Sequence, residues 1–215
     1  MAMEDRRSFL VATGAAIVGV GISADAAPRG RAAVTPIEAL VCDHGILRRV
    51  MYLYDEAARR MEANEDVAMD VVGACAATIR RVIEDVHERL EEELVFPRLE
   101  RTHGELVGVL RRQHGVGRGL TDQVLALMKG ASADHLVFSL RAFTRMYRPH
   151  ADREDTVVFP AVRDAVGPAG YRELGEQLGE RTRQLLGSRD EDRALEDVAR
   201  LERALGVDDL AKLMV

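Results

Sequence analysis

Apolar residues recur every three to four positions along most of the chain after residue 34, which is the periodicity of helices that bury one face. Polar or Gly/Pro breaks divide this pattern into four long predicted helices, at about residues 35–63, 67–96, 104–128 and 135–166. Two shorter amphipathic segments follow within residues 171–215. Long helices joined by short loops are typical of bundles. The sequence therefore predicts an all-α fold, an antiparallel four-helix bundle with additional C-terminal helices.

Both ends of the bundle region carry helix-boundary signals. Thr35, Pro36 and Glu38 have the order of a capped helix start, with Thr as N-cap, Pro at the first position and Glu completing a capping box. Gly167-Pro168 ends the fourth long helix. We therefore predict a flexible lead-in at residues 27–34, a bundle domain at 35–166 and a helical extension at 167–215.

The first 26 residues have a different pattern. Arg6 and Arg7 precede an apolar run at residues 9–22, and an A-x-A sequence follows at 24–26. This order is typical of a signal peptide, and a run of roughly 14 residues is shorter than a bilayer span requires. The paired arginines before Phe-Leu resemble a twin-arginine signal. Residues 1–26 are thus predicted to direct export to the periplasm or exterior, with membrane contact only during export; an uncleaved anchor is the alternative.

Charge and cysteine content narrow the functional classes. The formal net charge is −6 and both signs are interspersed, so the chain lacks the basic stripe of a nucleic-acid-binding protein. The sequence leaves protein partners unknown. Cys42 and Cys75 are too few for a disulfide framework. The favoured interpretation is that both cysteines are small buried residues. The alternative is a single disulfide bridge between them, which an oxidising compartment would permit.

Four of the six histidines lie on the apolar faces of the four long predicted helices, one on each. They are His44, His87, His114 and His150. A buried neutral imidazole needs partners for both ring nitrogens, and convergence on metal would meet that need for all four. A single such histidine is usually a hydrogen-bonded core residue, but one on each of four helices favours a metal site. His103 and His135 are predicted to lie on the surface.

Two glutamates share helix faces with two of these histidines. Glu91 follows His87 by four residues and Glu154 follows His150 by four, so each pair lies on one face. A buried carboxylate is costly without a partner, and two at one level repel each other unless a cation lies between them. Three neighbouring acids are interpreted instead as solvated surface residues: Glu92, Glu93 and Asp155.

The two halves of the chain repeat this arrangement. The sequences HERLEEELVFP at residues 87–97 and HADREDTVVFP at 150–160 place Val-Phe-Pro at the same offset from histidine. His44 and His114 also match, since Gly follows each directly and Arg stands four residues after each. The pattern H…HxxxE thus occurs twice. The predicted metal ligands are His44, His87, Glu91, His114, His150 and Glu154.

In these residues the chain resembles the hemerythrin-like, or HHE cation-binding, domains, over about residues 35–165. The resemblance implies a cofactor of two non-haem iron ions with an oxo or hydroxo bridge, held by the four histidines and two glutamates. Such ligands also suit manganese or zinc. Oxygen-carrying members have a further histidine where this chain has Arg118, and Asp in place of Glu154. These differences argue against simple reversible oxygen carriage.

Ligand counting indicates a site that is open to small molecules. If both glutamates bridge, each ion receives two imidazole nitrogens, two carboxylate oxygens and the bridging oxygen, which leaves one octahedral position free. We therefore expect a non-catalytic protein that binds oxygen or nitric oxide, or senses redox state. A di-iron oxidase or peroxidase is one alternative, and a helical interaction protein with a structural metal is the other.

Residues beside the predicted ligands admit two interpretations each. Tyr147 lies one turn before His150, where plain core packing is favoured and a border of the site is the alternative. Three glycines cluster next to His114, at positions 115, 117 and 119. Glycine inside a helix costs about 1 kcal/mol, so a reason is expected. Close helix approach is favoured, and a path for a small ligand is the alternative.

Overall fold

The computed structural model describes residues 35–130, 132–186, 191–209 and 211. Every regular element within these residues is helical, which confirms the all-α fold. The predicted signal peptide and lead-in at residues 1–34 lie outside the described residues. Among the helices that are described, none is both long and apolar enough to cross a membrane.

The first helix, α1, spans Pro36–Glu62 and begins as predicted. The Thr35 side chain accepts a hydrogen bond from the Glu38 backbone N–H at 3.3 Å, and the Glu38 carboxylate accepts one from the Thr35 N–H at 2.7 Å. This reciprocal pair is a capping box. It fixes the start of the helix that carries the first candidate ligand.

The second long segment is less uniform than the single α-helix that the sequence predicts. It consists of α2 (Met69–Thr78), the π-helical π1 (Ile79–His87), the single turn α3 (Glu88–Leu90), the π-helical π2 (Glu91–Val95) and a 3₁₀ turn (Phe96–Arg98). The break near Pro97 is where the sequence places it. Wider π-helical turns inside helices occur frequently at functional sites.

The second half of the bundle repeats this feature. Helix α4 spans Glu100–Leu127 and starts before the predicted Gly104, with a break in helical geometry at His103. Helix α5 (Ala133–Arg153) leads into π3 (Glu154–Val158) and then α6 (Phe159–Leu186). The backbone of α6 turns at Gly167, whose φ of 64° is the left-handed conformation that glycine adopts without strain.

Two apolar clusters fill the bundle, and the histidine level lies between them. Along α1, Leu40 belongs to one cluster and Leu47 to the other, with His44 between. The extension joins both clusters rather than standing apart. Helix α7 (Glu191–Leu205) packs on α1 and α2, whereas the end of α6 packs on π2.

Candidate metal centre

All six predicted ligands meet in the interior of the bundle. The side chains of the four histidines and two glutamates expose 3% or less of their surface. Helices α1, α4 and α5 each supply one histidine, and π1 supplies the fourth at its last residue. Glu91 and Glu154 are the first residues of π2 and π3. Of the three π-helical segments, π2 and π3 therefore begin at a candidate ligand, and π1 ends at one.

Four of these residues form the first candidate ion position. His44 Nε2 lies 3.3 Å from Glu154 Oε2, and His87 Nε2 lies 3.4 Å from Glu91 Oε2. The two imidazole ring centroids are 4.7 Å apart. One ligand atom from each of the four residues lies within 4.8 Å of all the others. We refer to this set as position 1.

The second candidate position, position 2, is formed by His114, His150 and Glu154. His150 Nε2 lies 3.1 Å from Glu154 Oε2, and the Nε2 atoms of the two histidines are 3.2 Å apart. Glu91 also reaches this side, since its Oε2 lies 3.5 Å from His114 Nε2. Both carboxylates thus approach histidines of both positions.

The unpaired atoms at this level fit metal ions. Both carboxylate oxygens of Glu91 and of Glu154, and the Nε2 of His87, are buried without a hydrogen-bond partner in the described part of the chain. Such atoms are costly unless something binds them. Two ligands about 2.1 Å from one ion and at right angles lie roughly 3 Å apart, close to the separations observed here. The donor set of imidazole and carboxylate suits iron, manganese or zinc.

The outer nitrogens of the two lone histidines contact the acids that follow the glutamates. His44 Nδ1 lies 2.7 Å from Asp155 Oδ1, and His114 Nδ1 lies 2.8 Å from Glu92 Oε1. The interpretation of these acids as solvated surface residues was wrong for both, because each accepts an imidazole N–H across the bundle. It holds better for Glu93, which is 38% exposed and pairs with an arginine of α6.

The histidines of the HxxxE units have their own outer partners. His87 Nδ1 lies 3.2 Å from Asp43 Oδ2, and His150 Nδ1 lies 3.0 Å from Gln113 Oε1. An imidazole that donates its Nδ1 proton presents the Nε2 lone pair to a metal. The four outer contacts therefore hold all four histidines as inward-facing ligands. Sequence reasoning missed Asp43 and Gln113, although each directly precedes a lone histidine of the repeat.

Two arginines at matching places in the repeat support the outer acids. Arg48 lies 2.5 Å from Asp155, and one Arg118 nitrogen lies 2.8 Å from both Glu92 and Glu88. The guanidinium of Arg118 therefore serves the carboxylates around His114 and is not directed to the metal level. Glu88, Glu92 and His114 form a further cluster of potential metal-ligating atoms, and the Arg118 guanidinium supplies a positive charge to its two carboxylates.

Aromatic rings enclose the centre. Phe159 stacks on His44 and Phe96 stacks on His114, each with ring centroids 5.6 Å apart. These are the phenylalanines of the repeated Val-Phe-Pro, and each packs on a histidine of the other half. They exclude water from the imidazoles and restrict how the rings turn.

Tyr147 borders the site as well as packing in the core, so the favoured interpretation was too narrow. Its ring meets His150 edge-on, and its hydroxyl donates to Glu88 Oε1 at 2.5 Å. A Cβ at Gly117 would lie 1.9 Å from the Tyr147 hydroxyl oxygen, which confirms close helix approach for this glycine. Cβ atoms at Gly115 and Gly119 would meet nothing within 4 Å.

The charges of the site are strongly coupled. Burial lowers the pKa of His44, His87 and His114, but the nearby carboxylates outweigh burial and hold each pKa above its ordinary value. Burial raises the pKa of Glu154, but His150 and His44 outweigh it and hold that pKa well below its usual range. Without metal the site thus retains protons, which an arriving ion must displace.

Two further buried acids lie beside the site and were not predicted. Glu84 and Glu88 expose 2% and 1% of their surface, and burial raises the pKa of both carboxyls. Arg80 Nε lies 3.0 Å from Glu84. Their spacing of four residues, which continues to Glu92, places the three acids on one helix face. That spacing is the sequence pattern from which the two buried acids could have been predicted.

The remaining sequence predictions have mixed outcomes. His135 is exposed as predicted, whereas His103 is half-buried and contacts the Thr102 hydroxyl. Cys75 is buried as predicted, but Cys42 is exposed, so that part of the interpretation was wrong. Both thiols are free, and no bridge joins them.

Comparison with known proteins agrees with the geometry. The family model described as the hemerythrin HHE cation binding domain matches residues 35–162. An uncharacterized protein of Mycobacterium bovis and one of Mycobacterium tuberculosis are each 38% identical to this chain over 196 residues, which is 87% of this chain and 77% of the relative. No solved structure matches.

Proposed function

This chain belongs to the hemerythrin HHE cation-binding family, and on that premise we propose that it is an exported, non-haem di-iron protein that binds oxygen or nitric oxide, or senses redox state. One observation carries the proposal. Four histidines from four helical segments direct Nε2 to one buried level, where two glutamates have unpaired oxygens. A cation-binding core follows from the family; iron, the number of ions and the small ligand are the parts proposed here.

The proposed ligands divide between two ions. His44 and His87 would hold one ion, His114 and His150 the other, and the two glutamates both. When bound, iron would supply one-electron redox chemistry and an exchangeable coordination position for a small ligand. The protein orients the imidazoles through their outer hydrogen bonds and keeps the level dry through stacked phenylalanines.

The surroundings favour a small ligand. Apolar clusters lie on both sides of the metal level, and Phe96 and Phe159 cover two of the imidazoles. Arg118 is engaged by Glu88 and Glu92, so it supplies no further ligand where oxygen carriers have a histidine. An ion with fewer protein ligands keeps a position that exchanges readily.

Export is proposed from the amino-terminal pattern alone. The amino-terminal pattern resembles a twin-arginine signal, with Arg6 and Arg7, a short apolar run and an A-x-A sequence. Twin-arginine transport carries folded proteins. Such a route suits a cofactor that is inserted before transport. Fractionation of cells that express the full chain and the Arg6→Lys/Arg7→Lys double variant tests this part. Equal export of both proteins contradicts twin-arginine transport.

Rapid mixing tests the ligand-binding part. The iron-loaded, reduced protein is mixed with oxygen or nitric oxide, and the oxidised protein with azide, while absorption is recorded. We expect oxidation by oxygen to be fast and irreversible under vacuum, and both nitric oxide and azide to give new bands. A spectrum that persists for hours in oxygen and reverts under vacuum would restore reversible oxygen storage. Unchanged spectra with all three molecules would favour a structural metal.

A further inference from the structure

The two halves of the site differ at a single outer contact. In position 1 both imidazole Nδ1 atoms face carboxylates, at His44 with Asp155 and at His87 with Asp43. In position 2, His114 also faces a carboxylate, but His150 faces the amide oxygen of Gln113, at 3.0 Å. Asp43 and Gln113 occupy the same place in the repeat, directly before the lone histidine. The two halves therefore make the same contact at this place, but only the first half places a negative charge there.

Contacts between an arginine and two acids flank both positions. Arg48 bridges Asp152 and Asp155 beside position 1, with contacts of 3.2 and 2.5 Å. Arg118 bridges Glu88 and Glu92 beside position 2, with contacts of 2.8 Å to each. Each position thus has one arginine between two acids. The flanking acids differ in burial, since Asp152 is 68% exposed and Glu88, which also accepts from the Tyr147 hydroxyl, is 1% exposed. Among the groups that contact the ring nitrogens directly, the difference in charge is the carboxylate of Asp43 against the amide of Gln113.

That difference changes how strongly the imidazole donates to metal. A carboxylate that accepts the Nδ1 proton polarises the ring and makes Nε2 a stronger donor, and its negative charge also attracts the cation. An amide oxygen fixes the same tautomer and the same ring orientation, but it has no net charge. His150 is consequently oriented as well as His87 and is the weaker ligand.

The inner carboxylates also favour tighter binding of metal at position 1. Position 1 has both Glu91 and Glu154 within its compact group of ligand atoms, whereas the compact group of position 2 includes only Glu154. Glu91 approaches position 2 through its contact with His114 alone. The compact group at position 1 therefore offers the first ion one more inner carboxylate than the compact group at position 2.

We infer that the two positions bind metal unequally, that position 1 fills first, and that Gln113 is a positioning residue that sets the lower affinity of position 2. The inference rests on the proposed two-ion site and adds an order of loading to it. The more weakly held ion is then the one that His114 and His150 bind. Outer partners of metal-bound histidines typically change affinity by about 10–100-fold, which is the expected separation of the two steps.

Titration of the metal-free full chain with Co²⁺ tests this order, with calorimetry for affinity and visible absorption for coordination. The wild type should bind two ions in two steps. Gln113→Glu should strengthen the second step by about 10–100-fold, and Asp43→Asn should weaken the first by a similar factor. His150→Ala should keep one ion at the affinity of the first step. Gln123→Glu, an exposed position on the same helix, is the matched charge control and should change neither step.

The outcomes separate this inference from the function on which it rests. Binding of one ion or none by the wild type contradicts the two-ion site itself. Two ions that bind in one indistinguishable step, or an unchanged second step in Gln113→Glu, overturn unequal loading and leave the two-ion site intact. Asp43→Asn supplies an independent reading from the other side of the site, and thermal melting of each variant verifies that it is folded.

Discussion

Glu91 and Glu92 are neighbours in the chain, yet they meet opposite nitrogens of one imidazole. Glu91 lies 3.5 Å from His114 Nε2, and Glu92 lies 2.8 Å from His114 Nδ1. Likewise, Glu154 lies 3.3 Å from His44 Nε2, and Asp155 lies 2.7 Å from His44 Nδ1. One residue of each acidic pair therefore faces the metal level, and the next fixes the tautomer of the histidine.

Alanine substitutions should rank these acids. Glu91→Ala and Glu154→Ala remove a shared inner ligand and should abolish tight binding of both ions. Glu92→Ala and Asp155→Ala should bind metal about 10–100-fold more weakly, since each removes the outer hydrogen bond of a histidine together with an arginine contact, but no inner ligand. Glu93→Ala is the control and should bind as the wild type does. Metal retention after dialysis measures the ranking, and equal retention by all five variants would contradict it.

Metal affinity should rise with pH across the neutral range. The pKa values of His44, His87 and His114 are held above the ordinary value of about 6.5, so these imidazoles still carry protons where free ones have lost them. Metal must displace those protons, and higher pH removes that competition. Co²⁺ titrations between about pH 6 and about pH 8 should therefore show an affinity that increases with pH. An affinity that stays the same between these two pH values would contradict the raised pKa values.

The sequence identifies the residues that meet at the buried level better than it identifies their outer partners. His87 and Glu91 lie on an apolar face, where a polar residue is conspicuous. Asp43 and Gln113 lie one residue off such a face, where a polar residue has an ordinary explanation on the surface. Only the structure shows that neighbouring helices cover them. Their matching positions in the repeat, directly before His44 and His114, are the sequence pattern from which these outer partners could have been predicted.

At the scale of elements, the repeated Val-Phe-Pro coincides with π-helical turns in both halves. The Phe96 N–H bonds to the Glu91 carbonyl, and the Phe159 N–H bonds to the Glu154 carbonyl, five residues back in each case. The following proline has no N–H to continue an α-helical ladder. Apolar periodicity predicts these stretches as helix but does not distinguish a short π segment from α-helix, so this local geometry required the structure.

Close approach of α4 and α5 should make two similar glycines respond in opposite directions. Gly117→Ala places a Cβ against Tyr147 and should destabilise the protein by about 1–3 kcal/mol. Gly119→Ala adds a methyl group in open space and should stabilise the protein by up to ~1 kcal/mol, since alanine favours helix. Denaturant unfolding of the two variants measures the difference. Equal effects of the two substitutions would mean that the helices are not this close.

At the scale of the whole molecule, the extension helps to build the core that surrounds the metal level. Leu174 is fully buried among residues of the cluster that contains Phe96 and Phe159. Arg49 of α1 donates to Glu202 of α7 at 2.7 Å. The sequence predicts amphipathic helices here, but an apolar face does not identify the surface on which it docks. That assignment depends on tertiary contacts.

Truncation of Leu174 should therefore affect the bundle. Leu174→Ala should lower the free energy of unfolding by about 2–5 kcal/mol and lower the single melting temperature of the domain. Leu195→Ala, on the half-exposed face of α7, should change stability by no more than about 0.5 kcal/mol. Calorimetric melting distinguishes the two. A separate low-temperature transition in Leu174→Ala, with the main one unchanged, would mean that the extension folds independently.

The iron content of the purified chain tests the two-ion centre most directly. The metal-free full chain is loaded with ferrous iron without oxygen, freed of excess iron and analysed for iron and protein in the same sample. Four imidazole nitrogens and four carboxylate oxygens lie at this level in two groups of ligand atoms, whereas one octahedral ion takes only about six donors, so about two irons per chain are predicted. A ratio near one, or no retained iron, would contradict the di-iron centre.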